Sequence, residues 1–368
     1  MKVLFDHQIF DLQRFGGISR YIKELYSCLI DKEGIEASLS FKYSKNEYIS
    51  NFSEVSHTNH LPRYMRVLRG QLRRSIQEEN KYQSIKALKQ GFKYEIFHPT
   101  YYDTYYLNII KKPFVITVHD MIHEKYGNHN QPFIIENKKR LCLEADKVIA
   151  NSQSTKNDIL DFYDIEESKV VVTHLAGGFE SSGSGKSWHK LSLPENYILF
   201  VGNRAWYKNF ITFYKAMKVV LASEKDLKVI CTGPPFTVAE LDMLKKDKLI
   251  NKFIHLFVAE KDFYQIYKNA SIFIFPSEYE GFGIPILEAL SVGCPVLASN
   301  SSSLPEVGGD AVTYFEPLNV DELIFKTKML LHSESLVRDL KQKYQTQLSK
   351  FSWAQTAKKT IKVYQDLL

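Results

Sequence analysis

Apolar and polar positions fall in short blocks along this chain, and the blocks predict strands punctuated by helices. Continuous apolar runs at 2–5, 94–97, 114–118, 147–150 and 169–173 read as buried strands, as do 197–201, 227–232, 253–258, 272–275 and 295–299. Runs without alternation belong to parallel strands covered on both faces. Between them the period changes. Ile18, Tyr21, Ile22, Leu25 and Leu29 share one helical face, Ser152 suits the cap of a helix, and Pro285 stands near the first position of another. A last helical pattern surrounds Trp353, Ile361, Val363 and Tyr364. Strands alternating with helices in both halves predict two doubly wound α/β domains. Gly177-Gly178 and the Gly/Ser-rich run at 181–186 read as the linker. The expected division is a first domain over 1–180, a linker over 181–193, a second domain over 194–350 and a C-terminal helix over 351–368.

At 368 residues the chain exceeds what one core holds, which also favours two domains. A formal net charge of +6 suits an anionic substrate or membrane surface and is too weak to point to nucleic acid. No apolar run reaches the length of a membrane span, and residues 1–6 read as a first strand rather than a signal peptide. Cys28, Cys142, Cys231 and Cys294 form no C-x-x-C pair and read as reduced, mostly buried thiols of a cytosolic protein without a metal site. Charge is uneven in one place. Between 61 and 93, nine cations face only Glu78 and Glu79, beside an apolar stripe of Leu61, Met65, Leu68, Leu72 and Ile76. Such a helix either lies on anionic membrane or packs on the core with a solvated basic face.

The candidate chemistry is densest at 277–288, which joins the strand at 272–275 to the helix opened by Pro285. Gly281 and Gly283 let backbone come close to a ligand, and the free N–H groups of the helix start favour an anion. Glu280 on the loop and Glu288, expected in the first helical turn, have seven residues between them. Amides that favour phosphate beside carboxylates that favour diols suit a nucleotide sugar. Arg204 and Lys208, four apart after the strand at 197–201, would present two cations from one helical turn and stabilise a departing diphosphate. Gly16-Gly17 shapes a turn between a strand and a helix. His119 and Asp120 follow the strand at 114–118, where ligands of parallel sheets bind. Tyr101 and Asp103 lie in an aromatic loop that suits a sugar-binding wall, since the C–H faces of sugars are apolar. Glu124 is a candidate to orient the His119 ring or the acceptor.

Glu280-Gly281-Phe282-Gly283 with Glu288, Thr117-Val118-His119-Asp120, Gly16-Gly17 and the Arg204/Lys208 pair resemble the motifs of the retaining glycosyltransferases of family 4. The resemblance covers nearly the whole chain. It implies the GT-B fold: two Rossmann-like domains with an interdomain cleft, and a C-terminal helix that crosses back to the first domain. It implies donor binding by Gly17, Arg204, Lys208, Glu280, Gly281, Phe282, Gly283 and Glu288, with Glu306 in a loop that helps close the site. His119 and Glu280 would carry the catalysis, and Asp120, Tyr101 and Asp103 are the acceptor candidates. No D-x-D triplet occurs, so no metal or other cofactor is expected, and the cations would do that work.

The implied reaction keeps the anomeric configuration, by a front-side displacement in which the leaving phosphate oxygen takes the acceptor hydroxyl proton. GDP-mannose is the first choice of donor, because His98-Pro99-Thr100-Tyr101 and Val118-His119-Asp120 resemble bacterial mannosyltransferases of surface polysaccharides; UDP- and dTDP-sugars stay open. The expected partner is a glycan or lipid-linked glycan, met in the cytoplasm or at the inner face of the cytoplasmic membrane. Two other readings remain: a non-catalytic GT-B subunit that supports a partner enzyme, and a nucleotide-sugar epimerase.

Overall fold

The computed structural model describes residues 1–50, 52–53, 55–57, 69–90, 93–127, 132–179, 191–204, 206–259 and 262–368. The first part of the basic stretch at 61–93 and most of the linker at 181–193 lie outside the described residues. Two compact units result: Met1–Leu175 with Trp353–Leu368, and Ala176–Ser352.

The strands of the first unit are β1 (Lys2–Phe5), β2 (Glu36–Leu39), β3 (Tyr43–Ser44), β4 (Ser56–His57), β5 (Ile96–His98), β6 (Val115–Val118), β7 (Lys147–Ala150) and β8 (Val170–Val172). Parallel ladders join β2-β1-β5 and β6-β7-β8, and a bridge from Phe97 to Phe114 sets β5 beside the start of β6. Strand order therefore reverses between β1 and β5. Register is set by the apolar runs, with Val3 opposite Ile96 and Val118 opposite Ala150. β2 escaped the sequence pattern because it is an edge strand, Glu-Ala-Ser-Leu, only partly buried. β3 and β4 form a separate small parallel pair.

The helix Arg69–Lys89 carries the described part of the basic stretch. Among its described side chains Asn80, Ser84 and Leu88, four apart, are the buried ones, so this half docks through a largely polar face. The Asn80 amide is fully used: Nδ2 donates to Asp11 Oδ1 and to the Tyr43 carbonyl, both at 2.7 Å, and Oδ1 accepts the Lys42 and Tyr43 N–H groups. The C-terminal helix Trp353–Gln365 packs within the first unit against the helix Gly17–Ile30. Thr356 donates to the His174 carbonyl at 2.6 Å, and the Tyr364 hydroxyl meets buried His98 Nδ1 at 2.6 Å.

The second unit is one parallel six-stranded sheet in the order β11-β10-β9-β12-β13-β14. Its strands are β9 (Tyr197–Phe200), β10 (Lys228–Cys231), β11 (Phe253–His255), β12 (Ile272–Phe275), β13 (Val296–Ser299) and β14 (Thr313–Phe315). β9, β12 and β13 are buried along their whole length, as their uninterrupted apolar runs require. Order reverses between β9 and β12, which makes their carboxyl ends the switch point where doubly wound sheets bind ligands. Gly177 and Gly178, read from the sequence as linker, are packed instead. A Cβ on Gly177 would stand 3.0 Å from Ile284 Cγ2, Gly178 has φ +111°, and Phe179 N–H donates to Ser291 Oγ at 3.0 Å. Close approach to the helix Ile284–Ser291 is what these glycines serve.

Candidate active site

At the second unit's switch point, β12 ends at Phe275 and the chain runs through Pro276 into the glutamate loop. Glu278 N–H donates to the Tyr207 carbonyl at 2.8 Å, which ties this loop to the one after β9. Gly283 is the N-cap of the helix Ile284–Ser291 at φ +116°, a conformation that excludes side chains, and a Cβ there would press on Leu304 Cδ2 at 3.1 Å. Glu288 is the fifth helical residue, so it sits in the second turn and not the first; Tyr267 donates to its Oε2 at 3.2 Å. The Phe282 ring is buried edge-on to Phe351, which leaves its backbone as the part able to serve a ligand.

The two cations do not share a helical turn. The 3₁₀ turn covers only Trp206–Lys208, and Arg204 precedes it. Lys208 Nζ lies 2.5 Å from Glu280 Oε1. Arg204 turns to a carboxylate that the sequence reading missed: its Nε and Nη2 donate to Glu240 at 2.7 and 3.2 Å, and Nη2 also reaches the Pro235 carbonyl. Burial raises the Glu240 carboxyl, but the Arg204 and Thr237 hydrogen bonds outweigh it and the net shift is downward. The signal was there, since Thr237-Val238-Ala239-Glu240 is a capping box, present in full at the helix Val238–Lys246. Ser301, Ser302 and Ser303 were also missed. Ser302 Oγ accepts the Glu280 N–H at 2.8 Å, Ser301 donates to the Glu278 carbonyl, and Ser303 to those of Glu280 and Phe282. A serine run has no distinctive sequence pattern. Glu306 is half-buried on the adjoining short helix Leu304–Gly308.

Among the described residues, four buried polar atoms at or just beyond these strand ends have no partner: Arg204 Nη1, Asn209 Nδ2, Ser277 Oγ and Ser299 Oγ. Each such group costs about 1–3 kcal/mol when left unsatisfied, so their gathering on one sheet edge favours a polar ligand there.

In the first unit, His119 follows β6 and is 7% exposed. Its N–H donates to Tyr102 Oη at 3.1 Å, its carbonyl accepts from Asn151 at 2.8 Å, and its ring stands edge-on to Tyr21. Burial lowers its pKa to about 4, against an upward pull from Asp120, so the ring is neutral near pH 7. A neutral imidazole offers one donor and one acceptor. Asp120 is half-buried and caps the Ile122 N–H at 3.1 Å. Glu124 is not free for substrate. It pairs with Lys138 at 2.9 Å, the two side chains 1% and 0% exposed, and accepts from Tyr163 at 2.6 Å. Lys138 also donates to the Asp120 carbonyl at 3.0 Å and lies over the Tyr102 ring, so it braces the His119–Glu124 segment. The Tyr101 and Tyr102 rings pack at a tilt with centroids 4.5 Å apart, and Asp103 is half-exposed. A Cβ on Gly17 would meet nothing within 4 Å, so the fold itself does not demand a glycine there.

Two family models match this chain: Glycosyltransferase Family 4 over residues 15–176 and Glycosyl transferases group 1 over 187–347. The chain belongs to glycosyltransferase family 4. The serotype-specific mannosyltransferase WbdA of Escherichia coli is 30% identical over 275 residues, 69% of this chain and 33% of WbdA. The chain thus spans about a third of the length of the first curated relatives it matches. An uncharacterized glycosyltransferase of Methanocaldococcus jannaschii is 25% identical over 74% of this chain and 75% of its own. The crystal structure of Anabaena HepE with UDP and glucose superposes over 100% of both chains with a TM-score of 0.73 at 17% identity. Sucrose-phosphate synthase of Thermosynechococcus elongatus does so over 100% and 98%, also at 0.73. The fold of this family-4 chain is GT-B, with two Rossmann-like α/β units.

Proposed function

We propose that the protein transfers mannose from GDP-mannose to a hydroxyl of a glycan, with retention at the anomeric carbon and without a metal ion. One observation carries the reading: the second unit's switch point gathers Arg204, Lys208, Glu280 and the helix start at Gly283, beside donors that have no partner among the described residues. Arg204 Nη1, Lys208 and the amides of Gly281 and Gly283 take the diphosphate, whose charge grows as the glycosidic bond breaks. Glu280 binds hydroxyls of the transferred sugar, and Glu288 binds the ribose diol. The C1–phosphate bond breaks while the acceptor oxygen bonds to C1 on the same face, and the acceptor proton passes to the leaving phosphate oxygen. Neutral His119 hydrogen-bonds the sugar, its 6-hydroxyl in this reading, and supports the developing positive charge through its backbone or ring.

Mannose is favoured because relatives named mannosyltransferases, WbdA and RfbU of Salmonella typhimurium, match this chain. By the same analogy the acceptor is a surface-polysaccharide glycan, lipid-linked, met at the inner face of the cytoplasmic membrane. Among the described residues no helix is long and apolar enough to cross a membrane. The deciding experiment incubates the protein with GDP-mannose and a mannoside acceptor, with and without EDTA, and reads the product's anomeric configuration by NMR. An α-linked product in EDTA is expected. A β-linked product, an EDTA-abolished reaction, or an epimerised nucleotide sugar formed without acceptor would each overturn a named part.

A further inference from the structure

At the carboxyl ends of β1 and β5, where the first unit's strand order reverses, lies a cavity of about 710 Å³. Ligands of doubly wound sheets bind at such points, and small-molecule sites run from about 300 to 1,000 Å³. Its walls are amphipathic. Leu12 and Phe133, 55% and 57% exposed, supply apolar surface. The Tyr101 hydroxyl and the amides of Gln77 and Asn137 line the same space and have no hydrogen-bond partner among the described residues. Asp103 is held in place by Gln8, whose Oε1 accepts the Asp103 N–H at 2.7 Å while its Nε2 is fixed by buried Asp6, also at 2.7 Å.

Charge narrows the occupant. Among the described residues, Asp11, Glu78 and Asp103 line the cavity against the single ammonium of Lys81, a balance that disfavours a phosphate. Unpaired amides and a hydroxyl beside apolar side chains fit a neutral ring with polar edges and an apolar face, which is a pyranose. Position narrows it further. Tyr102, on the cavity wall, accepts the His119 N–H at 3.1 Å, so the space adjoins the residue assigned to the reacting sugar. We propose that this cavity binds an uncharged sugar residue of the acceptor, the neighbour of the one that is glycosylated, so that the enzyme reads its acceptor over at least two rings. The proposal rests on the glycosyltransferase reading above and adds to it the length and neutrality of the acceptor.

The test compares methyl α-mannoside with methyl α-mannobioside as acceptors at saturating GDP-mannose. Wild-type kcat/KM is expected to be at least tenfold higher for the disaccharide. Phe133→Ala and Asn137→Ala, both on partly exposed helix positions, should each erase most of that gain, and Phe133→Trp should restore it. Ligand-observed NMR should show the mannobioside, and not inorganic phosphate, contacting aromatic protons of the wild type only. Equal use of both acceptors, or variants that keep the full disaccharide gain, would overturn the proposal while leaving mannosyl transfer intact. Absence of any transfer would overturn both.

Discussion

Lys208 Nζ and Glu280 Oε1 stand 2.5 Å apart, so the cation assigned to the diphosphate and the carboxylate assigned to the sugar hold one another. Both side chains are nearly buried, at 15% and 13% exposure, and a donor entering this edge would find each preset by the other. Replacing Glu280 with Gln removes the charged acceptor and loosens Lys208. A lost charged hydrogen bond is worth about 1.5–3 kcal/mol, so kcat/KM should fall roughly 10- to 100-fold. Near wild-type turnover in a steady-state assay would take Glu280 out of the site.

Arg204 grips Glu240 through two nitrogens and leaves the third buried without a partner among the described residues. Lysine cannot reproduce that fork. Arg204→Lys is expected to raise the donor KM by about tenfold and to shrink the GDP-induced rise in Tm, because a ligand that binds only folded protein stabilises it by mass action. An unchanged GDP thermal shift would confine Arg204 to a structural role.

Burial lowers His98 to about 3 and His119 to about 4. Their unfolded values lie near 6.5, so below that pH the unfolded chain takes up protons that the folded chain refuses. Stability is therefore fully present above about pH 6.5 and is lost as pH falls toward 4. The combined loss should reach several kcal/mol by pH 4.5, on the order of 1.4 kcal/mol per unit per histidine. Urea denaturation at pH 7.5, 6 and 5 measures this, and a flat profile would contradict the buried neutral rings.

Lys138 and Glu124 form an ion pair with almost no solvent contact. Lys138→Met should cost about 3–5 kcal/mol by leaving Glu124 buried without its counter-charge, and adding Glu124→Gln should recover much of it. Because Lys138 braces the Asp120 carbonyl, the double variant should still turn over more slowly than wild type. A double-mutant cycle with Tm and kcat read side by side separates the two effects.

What local chemistry writes down was legible along the chain. The apolar runs marked β1 and all of β5 to β13, because a strand covered on both faces has little other composition open to it. β2 and β14 were not legible: Glu-Ala-Ser-Leu and Thr-Tyr-Phe are short, mixed and only partly buried, so no apolar run marks them, whereas the apolar runs of edge strands β8 and β11 did show. The glutamate loop, His119 at the end of β6 and the paired cations could all be named as candidates from residue type and spacing. Their partners could not. Glu240 lies 36 positions from Arg204, Glu280 lies 72 from Lys208, and Lys138 reaches back 14 to Glu124. Lys208 meets Glu280 because β9 and β12 become neighbours where the order reverses, Arg204 meets Glu240 across the ends of neighbouring β9 and β10, and Lys138 meets Glu124 between adjoining helices; spacing along a chain carries no record of such contacts. The sequence alone determined the α/β rhythm and which groups could do chemistry. Tertiary structure decided which of those groups are already committed to one another and which still have hydrogen bonds to give.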